Sequence, residues 1–539
     1  MQISHRSLID AWKERVARTP QAPALAYFDG MRTVRQVDDE TDALAAAFVS
    51  LGTGRGDRVG VYLQNVPQYA LVLLALWKLG ATALVLNQMY RGRELRRLID
   101  DSGATGMVCT DGGLTETGQT LEGSTVRWMV STSPLDYQTR NDARVFASTE
   151  RFASASDGDL CELVDRFRGS RPDAVDLTQD DVALLAYTSG TTGPPKGAMN
   201  THGNLLAVTA TYAAWVDLQP GDVVFATAPL FHITGAVINA TIALLHDTLL
   251  VLANRFHPEV AIEAFAEHRV TFTIGSITAF NAIYQVPHAS REHFASMRAL
   301  YSGGAPIPPA TIERFRERFG VYIHNVYGMT ETSSAVIAVP FGTEAPVHEA
   351  SGTLSIGVPL PNLATRVVDP HGEPVPYGEQ GELELGGPQV VPGYWNKPEA
   401  TASTMPGGRL RTGDGAIMDE QGWVYLVDRL KDQINTSGYK VWPREVEDAL
   451  YEHPAVHESA VVGHPDDYRG ETVVGYVSLK SGASATEAEL IAFTRERLAA
   501  YKCPRVVHIV ADLPKTQTGK IRRNVLRESP DTVLDTPTA

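Results

Sequence analysis

The sequence predicts an α/β protein. A large N-terminal domain of parallel-rich sheets layered with helices ends in a β-rich subdomain, and a small α+β C-terminal domain follows. Three observations predict this. Short apolar runs of strand length alternate with amphipathic helical segments down to about residue 330, the rhythm of parallel sheets covered by helices. From about residue 365 the pattern changes to short strands between turn residues, as in RVVDPHGEPVPYGEQGELELGG. The charge also changes: residues 1–430 carry −14 of the net −16, whereas residues 431–528 hold 14 basic and 14 acidic side chains. The predicted divisions are therefore 1–430 (β-rich subdomain about 365–430), 431–528, and a frayed tail over 529–539 that lacks any apolar period.

The elements follow in order. Leu8, Trp12 and Val16 mark one face of an N-terminal helix. RVGVYLQN (58–65) reads as a strand, and YALVLLALW (69–77) as a buried helix between Pro67 and Gly80. Strands at 81–87 and 106–110 flank an amphipathic helix at 91–101. Residues 111–180 are polar and irregular and read as a surface excursion. Further on come a helix at 258–268, a strand at 270–276, a strand at 297–304 running into glycines, a helix at 308–320 and a strand at 321–328. In open α/β sheets ligands bind at strand carboxyl ends, so the glycine-rich turns there are the places to look.

Composition excludes several classes. With 539 residues, 43% apolar and 20% charged, the chain is neither disordered nor confined to one core. Cys109, Cys161 and Cys503 are far apart and form no CxxC pair, so neither a disulfide scaffold nor a zinc site is expected. The acidic balance argues against nucleic-acid binding. The longest apolar run falls well short of the roughly 20 residues of a membrane span, and no signal-peptide core is present. A cytoplasmic, reducing location is the expectation.

Four clusters carry chemistry. YTSGTTGPPKG (187–197), after the apolar strand VALLA, combines open backbone N–H groups, hydroxyls and Lys196, a phosphate cradle without Walker A spacing. In VYGMTETSS (326–334), Thr330 can donate to a phosphate and Glu331 offers a hard oxygen for Mg²⁺. In RTGDGAIMDEQGWVYLVDRLKD (411–432), Asp414 can bind ribose hydroxyls and Arg429 a ribose or phosphate oxygen, while 419–422 reads as a plain β-turn. LPKTQTGKIRR (513–523) places Lys515 and Lys520 on a basic loop.

Together these clusters resemble the motifs of the acyl-adenylate-forming enzymes: acyl-CoA synthetases, adenylation domains of peptide synthetases and beetle luciferases. The resemblance is strongest to fatty-acyl-CoA ligases and spans nearly the whole chain. It implies a C-terminal lid that rotates between two poses, ATP, Mg²⁺ and coenzyme A as reactants, and a two-step reaction through acyl-AMP. It further implies that Thr188, Ser189, Gly190, Thr191, Thr192, Gly193 and Lys196 hold the β- and γ-phosphates. Gly304, Ala305, Pro306 and Tyr327 would line the adenine slot, with Asp414 and Arg429 on the ribose. Thr330 would meet the α-phosphate, Glu331 the Mg²⁺, and Lys520 both α-phosphate and carboxylate. Lys431 falls at the hinge, and His232 in PLFHITG at the gate between acyl site and phosphates. Thr234, Gly235, Thr278, Gly303 and Met329 join His232 in an acyl pocket of small or apolar residues, which suits an uncharged acid. Gly438 and Lys440 belong to the loop of the thiol step, where Asn435 stands in a slot that many CoA ligases fill with lysine.

A carboxylate is ionised at neutral pH, so the first step needs charge neutralisation and alignment rather than a general base. The expected function is ATP-dependent ligation of a hydrophobic acid, a fatty acid first, to coenzyme A. A carrier-protein acceptor, an aryl acid and a non-catalytic nucleotide sensor are the alternatives. Amino-acid adenylation is disfavoured, because PLFHITG offers no Asp to pair a buried ammonium.

Overall fold

The computed structural model describes residues 5–153, 157–188, 195–305, 307–349, 352–429, 432, 434–436, 439–466, 469–515 and 521–528. Among them the strands form four sheets. The first, nine-stranded sheet runs in the order Val358–Pro359, Ser334–Ala338, Ile323–Met329, Ala299–Gly303, Phe272–Gly275, Val223–Phe225, Leu249–Leu252, Pro23–Tyr27, Gly30–Thr33. Its six central strands are mutually parallel, with antiparallel strands at both edges. The second, six-stranded sheet runs Trp128–Thr132, Gly106–Thr110, Arg58–Tyr62, Thr82–Val85, Val182–Tyr187, Gly197–Thr201, and only its last pair is antiparallel.

The helix Pro67–Lys78 explains how the two sheets share a core. All twelve of its residues are buried, and it touches strands of both sheets. A helix with no polar face is what a position between two layers requires. Val66 leads into it with extended backbone, Pro67 opens it where its missing N–H costs nothing, and Gly80 leaves it at φ 66°.

The remaining sheets are smaller. Ala364–Val368, Gln380–Gly386, Leu410–Met418 and Val424–Arg429 form an antiparallel sheet, where short strands between turns were expected. The Asp419–Gly422 turn is present, closed by Gly422 N–H on the Asp419 carbonyl. The fourth sheet takes its strands from residues 434–509, chiefly the long hairpin Val456–Asp466 with Gly470–Leu479.

One expectation is corrected. Residues 111–180 are not merely a surface excursion: they supply the edge strand Trp128–Thr132 and the helices Leu114–Leu121 and Leu160–Arg166. Trp128, Val130, Phe146, Leu160 and Leu163 are buried there. The elements are short and separated by polar turns, so no apolar period is long enough to show in the sequence. Among the described residues no helix is long and apolar enough to cross a membrane.

Candidate active site

Among the described residues, His232, Thr234, Gly235, Thr278, Gly303, Gly304, Ala305, Met329, Thr330 and Glu331 lie at the carboxyl edge of the nine-stranded sheet. Four adjacent parallel strands end there: Val223–Phe225, Phe272–Gly275, Ala299–Gly303 and Ile323–Met329. The first leads through the 226–234 loop, which carries His232 and Thr234, into a π-helix at Gly235–Thr241. The second leads into helix Ile277–Gln285, with Thr278 in its first turn and Ser276 as its cap. The third ends in Gly303, Gly304 and Ala305, and the fourth in Met329 and the turn Thr330–Thr332. With strands about 4.8 Å apart, these four strand ends span three strand spacings along the sheet edge.

Glycine is required at two of these points. A Cβ on Gly303 would lie 2.5 Å from the Val326 carbonyl oxygen, and one on Gly235 would lie 2.0 Å from that of Pro229. Asn65 fixes the His232 loop from behind. Its Nδ2 donates to the carbonyls of Ala226 (2.9 Å) and Ala228 (3.1 Å), and its Oδ1 accepts from Leu230 N–H at 2.8 Å. His232 itself is half-buried and its Nδ1 accepts from Thr234 N–H at 3.3 Å.

Two polar clusters flank this sheet edge. In the first, the Tyr327 hydroxyl donates to Asp414 Oδ2 at 2.7 Å, so strand 410–418 of the antiparallel sheet meets the nine-stranded sheet at the predicted adenine and ribose residues. Asp414 pairs in register with Arg429 on the neighbouring strand.

The second cluster surrounds Glu331, which is buried and accepts from the Tyr394 hydroxyl at 2.6 Å. Burial and the adjacent Glu331 push the Tyr394 phenol well above its ordinary value, which keeps it a donor. Lys196 Nζ sits 5.0 Å from the centroid of the Tyr394 ring. The hairpin bearing Thr188 and Lys196 is closed by Thr188 N–H on the Lys196 carbonyl at 2.9 Å. Trp395 N–H donates to the Gly197 carbonyl at 2.7 Å, and Ala198 bridges Tyr394. Asn200 Nδ2 then ties the hairpin to the Thr330 carbonyl (3.0 Å) and the Ser333 hydroxyl (2.9 Å). The phosphate-cradle hairpin and the Thr330–Glu331 turn are thus one hydrogen-bonded unit.

Glu331 is a hard oxygen ligand of the kind a divalent cation takes, oriented by a neutral hydroxyl. Ser189, Gly190, Thr191, Thr192, Gly193, Pro306, Lys431, Gly438, Lys520 and the tail lie outside the described residues. Arg429 and Lys440 lie on strands Val424–Arg429 and Tyr439–Val441, with their side chains outside the description. Lys515, the other lysine of the basic loop, is engaged elsewhere: it ion-pairs with Glu458 at 2.8 Å and with Asp512.

Tyr394, Asn200 and Asn65 were not singled out from the sequence. Tyr394 follows Gly393, whose φ of 155° marks a special backbone position, and the PGYW run was the available signal. Asn65 and Asn200 act across more than 100 residues, and no local pattern announces such bonds.

Comparison with known proteins shows the family. The AMP-binding enzyme family matches residues 12–395, and the AMP-binding enzyme C-terminal domain matches residues 445–520. A long-chain-fatty-acid–CoA ligase of Escherichia coli O6:H1 is 34% identical, with 97% of this chain and 94% of the relative covered. A feruloyl-CoA synthase of an Amycolatopsis species is also 34% identical, over 96% of this chain and 98% of the relative. Among solved structures, ATP-bound MatB from Rhodopseudomonas palustris superposes with a TM-score of 0.86 at 28% identity, covering 98% of this chain and 99% of the other. One family model spans Lys196, His232, Glu331 and Tyr394, and the other covers most of the C-terminal sheet. The chain belongs to the AMP-binding enzyme family, as an AMP-forming acyl-CoA synthetase.

Proposed function

We propose that the chain activates a hydrophobic, uncharged carboxylic acid with ATP and passes the acyl group to coenzyme A. A carboxylate oxygen attacks the α-phosphorus, the bond to the bridging oxygen breaks, and pyrophosphate leaves. The thiol sulfur then attacks the acyl carbon, AMP departs with the carboxyl oxygen, and the thiol proton is released.

The observation that carries the reading is the pairing of Tyr327 with Asp414 beside the Glu331–Tyr394–Lys196 cluster, at the end of one sheet. It supports adenosine held by Tyr327 and Asp414, with the Gly304–Ala305 backbone against the base and Arg429 on the ribose. It likewise supports the triphosphate lying between Thr188, Lys196 and Thr330. A magnesium ion held by Glu331 would neutralise phosphate charge during the displacement. His232 separates the acid from the phosphates, and Thr234, Gly235, Thr278, Gly303 and Met329 surround the acyl group.

Lys520 supplies the remaining positive charge at the reacting oxygens, and residues 431–528 swing about Lys431 so that Gly438 and Lys440 replace Lys520 for the thiol step. These roles rest on the family resemblance. ATP, CoA and reduced thiols share the cytoplasm, which is the setting this chemistry suits.

The test mixes the protein with ATP, Mg²⁺ and a panel of carboxylic acids, with and without CoA. Acid-dependent pyrophosphate release and acyl-CoA by mass spectrometry are expected. No acid-dependent release overturns the reading, and acyl-AMP accumulating at saturating CoA transfers it to a carrier-protein acceptor.

A further inference from the structure

Successive side chains of a strand point to opposite faces, so Gly303 and Tyr301 share one face of strand Ala299–Gly303. On the neighbouring strand the same face carries Val326 opposite Gly303 and His324 opposite Tyr301. At this level Gly303 is half-buried and contributes no side chain, and Val326 beside it is buried. One pleat lower, about 6.6 Å down the strand, Tyr301 is completely buried.

Tyr301 closes that level. Its ring stacks on His324 at 4.7 Å and 21°. It meets the Tyr212 ring edge-on at 5.7 Å and that of Phe272 at 6.5 Å. Its hydroxyl donates to the Val339 carbonyl at 3.0 Å, which anchors the far end of the ring. Tyr212 comes from helix His202–Trp215, which packs against the π-helix that begins at Gly235. The aromatic layer is therefore held from the sheet below and from the helices above, in stacked and edge-to-face arrangements that favour a fixed geometry. Close-packed interiors do not yield to a longer guest by small shifts.

We propose that this layer is the floor of the acyl site. The chain is then a ligase for compact acids, those with a short alkyl chain or a single aromatic ring, and it excludes long straight-chain fatty acids. The inference rests on the reading of Gly303 as acyl-pocket lining. It adds what sequence likeness does not supply, because a long-chain fatty-acid ligase and a feruloyl-CoA synthase are both 34% identical to this chain.

The test uses non-reactive acyl-adenylate mimics, the hexanoyl, cinnamoyl and hexadecanoyl sulfamoyl adenosines, titrated calorimetrically into the full chain. The hexanoyl and cinnamoyl mimics should bind at least about 100-fold more tightly than the hexadecanoyl mimic, the scale on which a pocket rejects an ill-fitting group. Tyr301→Ala, with Tyr301→Leu as a milder opening, should move the preferred chain length upward by several carbons. Equal or tighter binding of the hexadecanoyl mimic by the unaltered chain overturns the floor while leaving the ligase reading intact. So does an unchanged length preference in the folded variants. If none of the three mimics binds, the nucleotide site itself is wrong and both readings fall together.

Discussion

Two sheet edges in this molecule share a topology and differ in chemistry. In the six-stranded sheet the chain leaves Arg58–Tyr62 toward Thr82–Val85 on one side and Gly106–Thr110 on the other. In the nine-stranded sheet Val223–Phe225 is likewise flanked by Leu249–Leu252 and Phe272–Gly275. Each arrangement opens a crevice at the carboxyl ends, the place where α/β sheets bind ligands. The six-stranded sheet has a cavity of about 270 Å³ there, lined by Tyr62, Gln88, Arg91, Thr110 and Glu116 among others.

The lining of that cavity is already occupied with itself. Arg91 bonds the Tyr62 hydroxyl at 2.6 Å and the Gln88 carbonyl at 2.6 Å, and pairs with Glu116 at 3.3 Å. Gln88 donates to the Thr110 hydroxyl at 2.7 Å. Burial pushes the Tyr62 phenol up to about 12, so it stays a neutral partner in this set. The nine-stranded edge differs. It has two consecutive serines at positive φ (Ser333 at 53°, Ser334 at 100°), and buried hydroxyls of Ser302 and Ser334 without a hydrogen-bond partner among the described residues. A crevice is a consequence of strand order, whereas a site needs strained backbone and polar groups left for a ligand.

The sharpest way to break this contrast is to remove the charge proposed for the reacting oxygens. Lys520→Ala should slow acyl-AMP formation by about 10²–10³, the usual loss of one preorganised donor. It should leave the conversion of supplied acyl-AMP and CoA to thioester largely intact, since the lysine is proposed to serve one pose only. Quenched-flow timing of each half-reaction measures this. An equal loss in both halves removes the step-specific role and with it the rotating lid.

The next effect belongs to the Tyr327–Asp414 contact. Asp414→Ala should weaken ATP binding by about 2–4 kcal/mol, the cost of two charge-assisted bonds. Because the Tyr327 hydroxyl donates to the same carboxylate, Tyr327→Phe and the double variant should show non-additive losses. Isothermal titration with ATP checks both. Additive losses would mean that the contact does not organise the nucleotide site.

Much of this was legible in the sequence, for identifiable reasons. The helix Pro67–Lys78 and the strand Gly106–Thr110 were apparent because proline, glycine and long apolar runs mark burial directly. The strand ends at Gly303 and Met329 were apparent because glycine and hydroxyl residues follow apolar strands there. Strand Trp128–Thr132 was missed because its five residues lie among polar turns. Tyr394 was missed because its function is a contact with Glu331, 63 residues earlier in the chain. Asn65 bonds a loop more than 160 residues away, and periodicity carries no information about such pairs.

The smallest effect is expected at the other edge, and it decides whether the contrast is real. Arg91 and Glu116 are both more than half exposed, at 58% each, so their ion pair is worth at most about 1 kcal/mol. The remaining bonds of Arg91 go to a hydroxyl and backbone carbonyls on its own cavity wall. Arg91→Gln should therefore lower thermal stability only slightly. It should leave ATP affinity and the rate of pyrophosphate release within about 1 kcal/mol of the unaltered chain. Calorimetric melting and pyrophosphate-release kinetics on the same preparation measure the two quantities. A loss in the first half-reaction comparable to that of Asp414→Ala, with the melting temperature unchanged, would show that the six-stranded crevice takes part in adenylation. The two sheet edges would then be one extended site, and the paired state of Arg91 would be a resting arrangement that ligand binding breaks.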